Sequence, residues 1–342
     1  GAGAAPLMIM MKSLSCLALA TVTMTMSSPS SLAFELISGR IISSARLSIS
    51  YVESQGEIEN NGPATLLIHG LDSSSQTWRG VQQSLATPSV AIDCRGCGRS
   101  ELGDPNNFSP DALVEDVKSL AKVHPLLRDK PFVLVGHSMG GRVAMCYAAK
   151  YPDDIAALVI EDMDIRRRSV QSNFIHNFDE KRAIEFSRCH ESMDNVKKEF
   201  DSIGYPSDMC AKWIGEGRIY EDKSDGDRVW SDVNPAFRAL CYRTIFDSTV
   251  GKDSWSAIVR NLQRKKDGTK VYLMVAGIGT VCDQGSIQNM RQSEEGNVSS
   301  VCVKLYSEGT HSIHNSVREE FMTDLRQIIK DSNSMLQERS KI

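Results

Sequence analysis

The stretch FVLVGHSMGGRVAMCYAAK, residues 132–150, decides the fold. Phe132-Val133-Leu134-Val135 is an uninterrupted apolar run, the pattern of a short strand buried on both faces. From Arg142 to Lys150 the chain reads as helix, and Pro152 stops it. Between the two lies Gly136-His137-Ser138-Met139-Gly140. A strand that passes directly into a helix forces the residue at the corner into strained backbone geometry, and only small residues two places before and after it avoid a clash. Gly136 and Gly140 meet that demand. The turn lifts the Ser138 hydroxyl off the end of the sheet, above a helix N-terminus whose free N–H groups and dipole favour a developing negative charge. Ser138 is therefore a candidate nucleophile. The plainer reading is a glycine-rich turn with an ordinary capping serine.

Working outward, Ala64 to Ile68 is another apolar run and ends in His69-Gly70-Leu71-Asp72, followed by a polar loop and Trp78. The next strand, Ser89 to Ile92, ends in Asp93-Cys94-Arg95-Gly96-Cys97-Gly98-Arg99-Ser100. The blocks LLIHGLDSSSQTW, AIDCRGCGRS and VLVGHSMGGRVAM resemble those of the α/β-hydrolases, from about Phe34 to near Asp331. Their spacing most resembles small esterases and thioesterases. The resemblance implies that the N–H groups of Leu71 and Met139 form an oxyanion hole.

The coarse pattern agrees. Phe34 to Arg40 and Leu47 to Val52 read as antiparallel entry strands. Six more follow, at Thr65–His69, Val90–Asp93, Phe132–Val135, Leu158–Glu161, Val271–Ala276 and Val301–Tyr306, with helical patterns between them. The expected class is α/β, a mostly parallel eight-stranded sheet flanked by helices. The alternation breaks after Asp164, where a polar, helix-prone stretch carries scattered aromatics including Phe186, Phe200, Trp213 and Phe246. The expected organisation is a leader at residues 1–33, a core at 34–164 and 254–342, and a helical cap inserted at 165–253. Most of the cap aromatics pack it onto the core, and a few line an acyl pocket.

A serine hydroxyl needs a neighbouring base. In the resembled fold the base follows the last strand, which leaves His311 and His314 of the seven histidines. The pattern Glu308-Gly309-Thr310-His311 favours His311, with His314 about one helical turn on as the alternative. His69 and His137 belong to turns, where bonding to backbone groups is the better reading. Two aspartates compete to orient the imidazole. Asp162 ends the strand after the nucleophile helix, the position used by the esterase branch. Asp283 follows the next strand, but deep in a loop, where it reads as a helix cap. Glu161 adjoins Asp162 and points to the opposite face of its strand.

With 342 residues, 41% hydrophobic, the chain can bury a large core, and a formal charge of −4 gives no electrostatic reason to expect nucleic acid. Arg166-Arg167-Arg168 reads as a solvated basic face, or alternatively as a site for anionic substrate groups. Nine cysteines are scattered rather than crowded into a framework, and Cys94-x-x-Cys97 lacks a redox setting. Lys12 followed by apolar Leu14 to Met26 and a Ser-rich segment ending at Ala33 resembles a secretory signal or a bipartite plastid presequence, removed near Phe34. The expected function is hydrolysis of a small-molecule carboxylic ester or thioester of a small to medium acyl group, through Ser138, His311 and Asp162, with no metal or organic cofactor. A carbon–carbon bond hydrolase and a non-catalytic ligand receptor are the alternatives on the same fold.

Overall fold

The computed structural model describes residues 35–341, apart from 57–61, 170–174, 176, 224–225, 227, 266, 294–295 and 298–299. The leader expected at 1–33 lies outside the described residues. Strands β1 (Leu36–Ile42) and β2 (Ser48–Ser54) form an antiparallel pair. They join β3 (Thr65–Ile68), β4 (Ser89–Ile92), β5 (Phe132–His137) and β6 (Ile155–Glu161) in one sheet. Helix α1 (Arg79–Ser84) links β3 to β4, α2 (Pro110–Val123) precedes β5, and α3 (Met139–Lys150) joins β5 to β6. Ser109 caps α2 by accepting from the Ala112 N–H, with Pro110 in its first turn.

Between β6 and the next sheet strand lies an insertion. It contains α4 (Glu180–Ile184), β7 (Cys189–His190), α5 (Met193–Ile203), α6 (Ser207–Gly215), β8 (Ile219–Asp222), β9 (Arg228–Ser231) and α7 (Pro235–Arg243), and the long α8 (Ser248–Lys265) then leads back onto the main core. The stretch is not purely helical: β7, β9 and β8 pair as a three-stranded antiparallel sheet. Strands of two to four residues leave too short an alternation to register against helix propensity. The chain then returns through β10 (Lys270–Ile278), α9 (Gln284–Arg291), a minimal hairpin of β11 (Gln292–Ser293) and β12 (Gly296–Asn297), β13 (Val301–Thr310), α10 (Ile313–Ser316) and α11 (Arg318–Arg339).

The eight-stranded sheet runs β1-β2-β4-β3-β5-β6-β10-β13, and every neighbouring pair from β4 onward is parallel. Period-two alternation sends Leu66, Ile68 and Leu134 to a core shared with α2, α3 and α8, while Leu67, Val133 and Val135 pack on the other face against Phe321 and Leu325 of α11. Both faces are thus buried, which is why these strands read as continuous apolar runs. The insertion has its own core around Phe200, Tyr205, Trp213 and Val229. No helix among the described residues is long and apolar enough to cross a membrane.

Candidate active site

Parallel strands all end at one edge of the sheet, and the loops there converge. Ser138 sits between β5 and α3 with φ 52° and ψ −118°, a strained corner for a side-chain-bearing residue. The flanking glycines have no room for anything larger. A Cβ on Gly136 would lie 2.3 Å from Gly140 O, and one on Gly140 would lie 2.4 Å from Ile68 O. Ser138 N donates to Glu161 O at 2.8 Å, which fixes the corner against the end of β6.

His311 follows β13, and its ring bridges two of the expected residues. Nε2 lies 3.0 Å from Ser138 Oγ and Nδ1 lies 2.7 Å from Asp162 Oδ2. Asp162, at the end of β6 with φ 45°, is fully buried and its carboxylate is fully engaged. Oδ1 accepts from Ala276 N at 3.1 Å and Thr280 Oγ1 at 2.5 Å, and Oδ2 accepts from Val281 N at 3.1 Å as well as from His311. Burial pushes the Asp162 pKa up, but the hydrogen bonds from His311, Thr280 and Ala276 outweigh it and hold the carboxyl below its ordinary range.

The alternatives lie elsewhere. Asp283 caps α9, accepting from Ser286 N at 3.0 Å, and bonds neither His311 nor Ser138. His314 is wholly buried and pairs with Glu161, its Nδ1 at 2.8 Å from Oε1, while Nε2 reaches Thr77 Oγ1 at 2.9 Å and the ring stacks on Trp78 at 4.2 Å. It is not a loose packing residue. Consecutive positions on β6 thus send two carboxylates to opposite faces, each to its own histidine. Burial raises the Glu161 pKa, but His314 and His137 bring it below the usual value.

The turn histidines serve backbone groups. His69 Nε2 accepts from Cys94 N at 3.1 Å. His137 Nε2 donates to His311 O at 2.9 Å, holding the backbone of the ring that bridges Ser138 and Asp162. Burial drives the His137 pKa down to about 3, so at neutral pH it places no charge beside His311. The loop after β3 comes close: a Cβ on Gly70 would stand 3.2 Å from Ser138 Cβ. Leu71 follows Gly70, and Met139 is the first residue of α3. The next residue, Asp72, is buried with φ 48° and forms an ion pair with Arg238 of α7, with Tyr205 Oη donating at 3.3 Å.

A cavity of about 1130 Å³ lies over Ser138 and His311. Met163, Met209, Trp213, Tyr242 and Phe246 supply apolar wall, and the insertion contributes four of these. Arg166 and Arg168 also line it, both bonded to buried Asp164, while Arg166 and Arg167 stay exposed. Burial pushes the Cys94 and Cys97 thiols up, against a thiolate.

A family profile described as the alpha/beta hydrolase fold matches residues 63–186, the segment carrying β3 to β6 and the Ser138 corner. The chain has the α/β-hydrolase fold. It is 41% identical over 177 residues to Lipase LipV of Mycobacterium tuberculosis (strain ATCC 25618 / H37Rv), covering 51% of this chain and 54% of the relative. It is 31% identical over 136 residues to 2-(acetamidomethylene)succinate hydrolase of Mesorhizobium japonicum (strain LMG 29417 / CECT 9101 / MAFF 303099), covering 38% of this chain and 46% of that protein. The chain therefore spans about half the length of these curated relatives. Among solved structures, a marine microorganism esterase superposes with a TM-score of 0.60 at 15% identity, covering 82% of this chain and 98% of the esterase.

Sequence reading missed three things here. Thr280 and Val281 hold Asp162 from a Gly-rich stretch with no pattern of its own, beside Ala276 at the end of the expected strand. Arg142, in the middle of α3, is fully buried, its guanidinium donating to Asp164 O, Arg166 O, Ile245 O and Asp247 O. It thereby ties the start and the end of the insertion to the helix that follows Ser138. The Asp72–Arg238 pair is the third, a contact between residues 166 apart that no local pattern signals.

Proposed function

We propose that this protein is a serine hydrolase that cleaves a carboxylic ester or thioester through Ser138, His311 and Asp162. The observation that carries the reading is the placement of one imidazole within hydrogen-bond reach of both a strained serine hydroxyl and a buried, ionised carboxylate. Ser138 Oγ attacks the acyl carbonyl while His311 Nε2 takes its proton, and Asp162 steadies the imidazolium. The oxyanion rests on the N–H groups of Leu71 and Met139. His311 then protonates the leaving alcohol or thiol, the bond from carbonyl carbon to leaving group breaks, and a water activated by the same histidine releases the acid from Ser138.

The insertion at 165–253 acts as a cap in this reading, since its side chains share the cavity with Ser138. The lipase name of one relative supports ester-type chemistry, and the hydrolase name of the other supports hydrolysis more broadly. A fluorophosphonate probe should modify Ser138, and steady turnover of 4-nitrophenyl acetate or butyrate should follow. A single slow turnover without a steady state would favour a ligand receptor on the same fold. A panel of esters and thioesters of graded length then ranks acyl groups and leaving groups.

A further inference from the structure

The chain as a whole is slightly acidic, with 39 Lys and Arg against 43 Asp and Glu. The cavity over Ser138 inverts that balance. Among the described residues, eight of its lining side chains are Lys or Arg and two are Asp or Glu. Several of these cations are spoken for: Arg238 pairs with Asp72, Arg166 and Arg168 share Asp164, and Arg218 meets Glu216. Arg79, Arg167 and Arg318 differ, because none has a carboxylate within 4 Å among the described residues.

Two of the three belong together. The Arg318 guanidinium lies over the start of α1, where a Cβ on Gly80 would meet its Cζ at 2.6 Å, and Arg79 is the residue before Gly80. Both line the same cavity, and each guanidinium gains when a counter-anion enters it. They also sit on a definite side of the reaction centre. Ser312, Asn315 and Arg318 follow His311 along the chain and line the cavity with it. A leaving group must lie against His311 Nε2 to be protonated, so it extends along this wall. The apolar wall of Met163, Met209, Trp213, Tyr242 and Phe246 is left for the acyl group. The cavity, about 1130 Å³, is also larger than a short acyl group needs, since pockets of roughly 300–1,000 Å³ hold whole drug-sized ligands.

We infer that the substrate is an ester or thioester whose leaving group carries a phosphate or carboxylate, held by Arg79 and Arg318. The inference rests on the hydrolase reading above for the position of the leaving group, and its test is a binding measurement that does not need turnover.

The Ser138→Ala protein, full chain, is titrated calorimetrically with matched pairs: S-butyryl-pantetheine against S-butyryl-4′-phosphopantetheine, and the butyryl thioester of mercaptosuccinate against that of its dimethyl ester. Two arginines on one anion correspond to a preference of about tenfold or more for the charged member of a pair. Selectivity in the first pair assigns a phosphate, and in the second a carboxylate. Adding Arg79→Gln and Arg318→Gln together should bring the ratio close to one, and both positions are exposed, so the fold survives. Arg167→Gln should leave the ratio as it was. Equal affinity within both pairs overturns the inference, and so does a ratio that falls with Arg167→Gln but not with the double variant. Absence of turnover by the unsubstituted protein, with charge selectivity intact, would instead count against the hydrolase reading alone.

Discussion

Replacing Asp162 by Asn isolates the charge of one buried side chain, and its surroundings dictate what the amide must do. All four hydrogen bonds to the carboxylate come from donors: Ala276 N and Thr280 Oγ1 on one oxygen, Val281 N and His311 on the other. An amide has a single acceptor oxygen, so its NH2 must face one of these pairs. Turned toward Oδ1, it leaves Ala276 N–H facing a donor, although the Thr280 hydroxyl can rotate and accept. Turned toward Oδ2, it leaves Val281 N–H unsatisfied and requires His311 to accept at Nδ1. The imidazole proton then moves to Nε2, where it donates to Ser138 instead of taking its proton. Either orientation orphans one buried amide, at about 1–3 kcal/mol of stability. The second also costs about 10⁴ in kcat, equivalent to about 5 kcal/mol of barrier, and the first still removes the negative charge that steadies the imidazolium. Asp162→Asn should therefore lose both stability and nearly all activity, measured by urea unfolding and by 4-nitrophenyl butyrate turnover. The pH dependence of stability carries its own sign. A carboxyl whose folded pKa is depressed contributes stability above its unfolded pKa, near 4, and that contribution disappears as pH falls through the folded value. The acid arm of the stability curve should accordingly flatten in Asp162→Asn. Retention of more than about a tenth of wild-type kcat would refute the role given to this carboxylate.

Asp283→Asn is the companion variant: its side chain caps α9 and lies 3.8 Å from Arg166 in a half-exposed pair, Asn caps as well as Asp, and activity should stay near wild type in the same assay. Ser138→Ala and His311→Ala should each remove on the order of 10⁴–10⁶ in kcat, and the double variant should lose little more than either single one; additive losses would show that the two side chains do not act as a unit. His314→Ala strands a buried Glu161 and should destabilise by about 3–5 kcal/mol, read as a lower urea midpoint, with kcat per folded molecule falling far less than in His311→Ala. Burial and the nearby Asp93 raise the Asp232 pKa to about 6, so its ionisation opposes folding and the penalty accrues as pH rises from its unfolded pKa toward 6. Asp232→Asn should stabilise the protein by about 1–3 kcal/mol at pH 7.5 and by little at pH 4; a pH-independent effect would show that the charge is compensated.

What could be read in advance follows the physics of each element. Strands β3 to β6 were legible because burial on both faces leaves no polar residue to interrupt the run. The opposite orientations of Glu161 and Asp162 follow from strand parity alone, and the capping role of Asp283 from its distance past β10. The β7–β9 sheet was not legible, because a strand such as Cys189–His190 has no period to detect. Arg142 reads as a helix-surface cation, and only the folded chain brings four backbone carbonyls to it. The cations around the cavity come from α1, the segment after β6, the insertion and α11, so no local window of sequence collects them. His314 lay one turn from His311 and looked incidental, since its partner Glu161 is supplied by a distant strand.

The salt link between Asp72 and Arg238 joins the loop that carries the Leu71 amide to a helix synthesised more than a hundred residues later. Without that helix docked, Asp72, whose backbone is left-handed in the folded protein, has no guanidinium to anchor it. On the proposed chemistry, a half-refolded molecule with Ser138 and His311 already adjacent would still have a wandering amide where the oxyanion must rest. Activity would then appear only after the insertion has docked. The link would work as an interlock, keeping a chain with an undocked insertion from hydrolysing whatever acyl compounds drift past it.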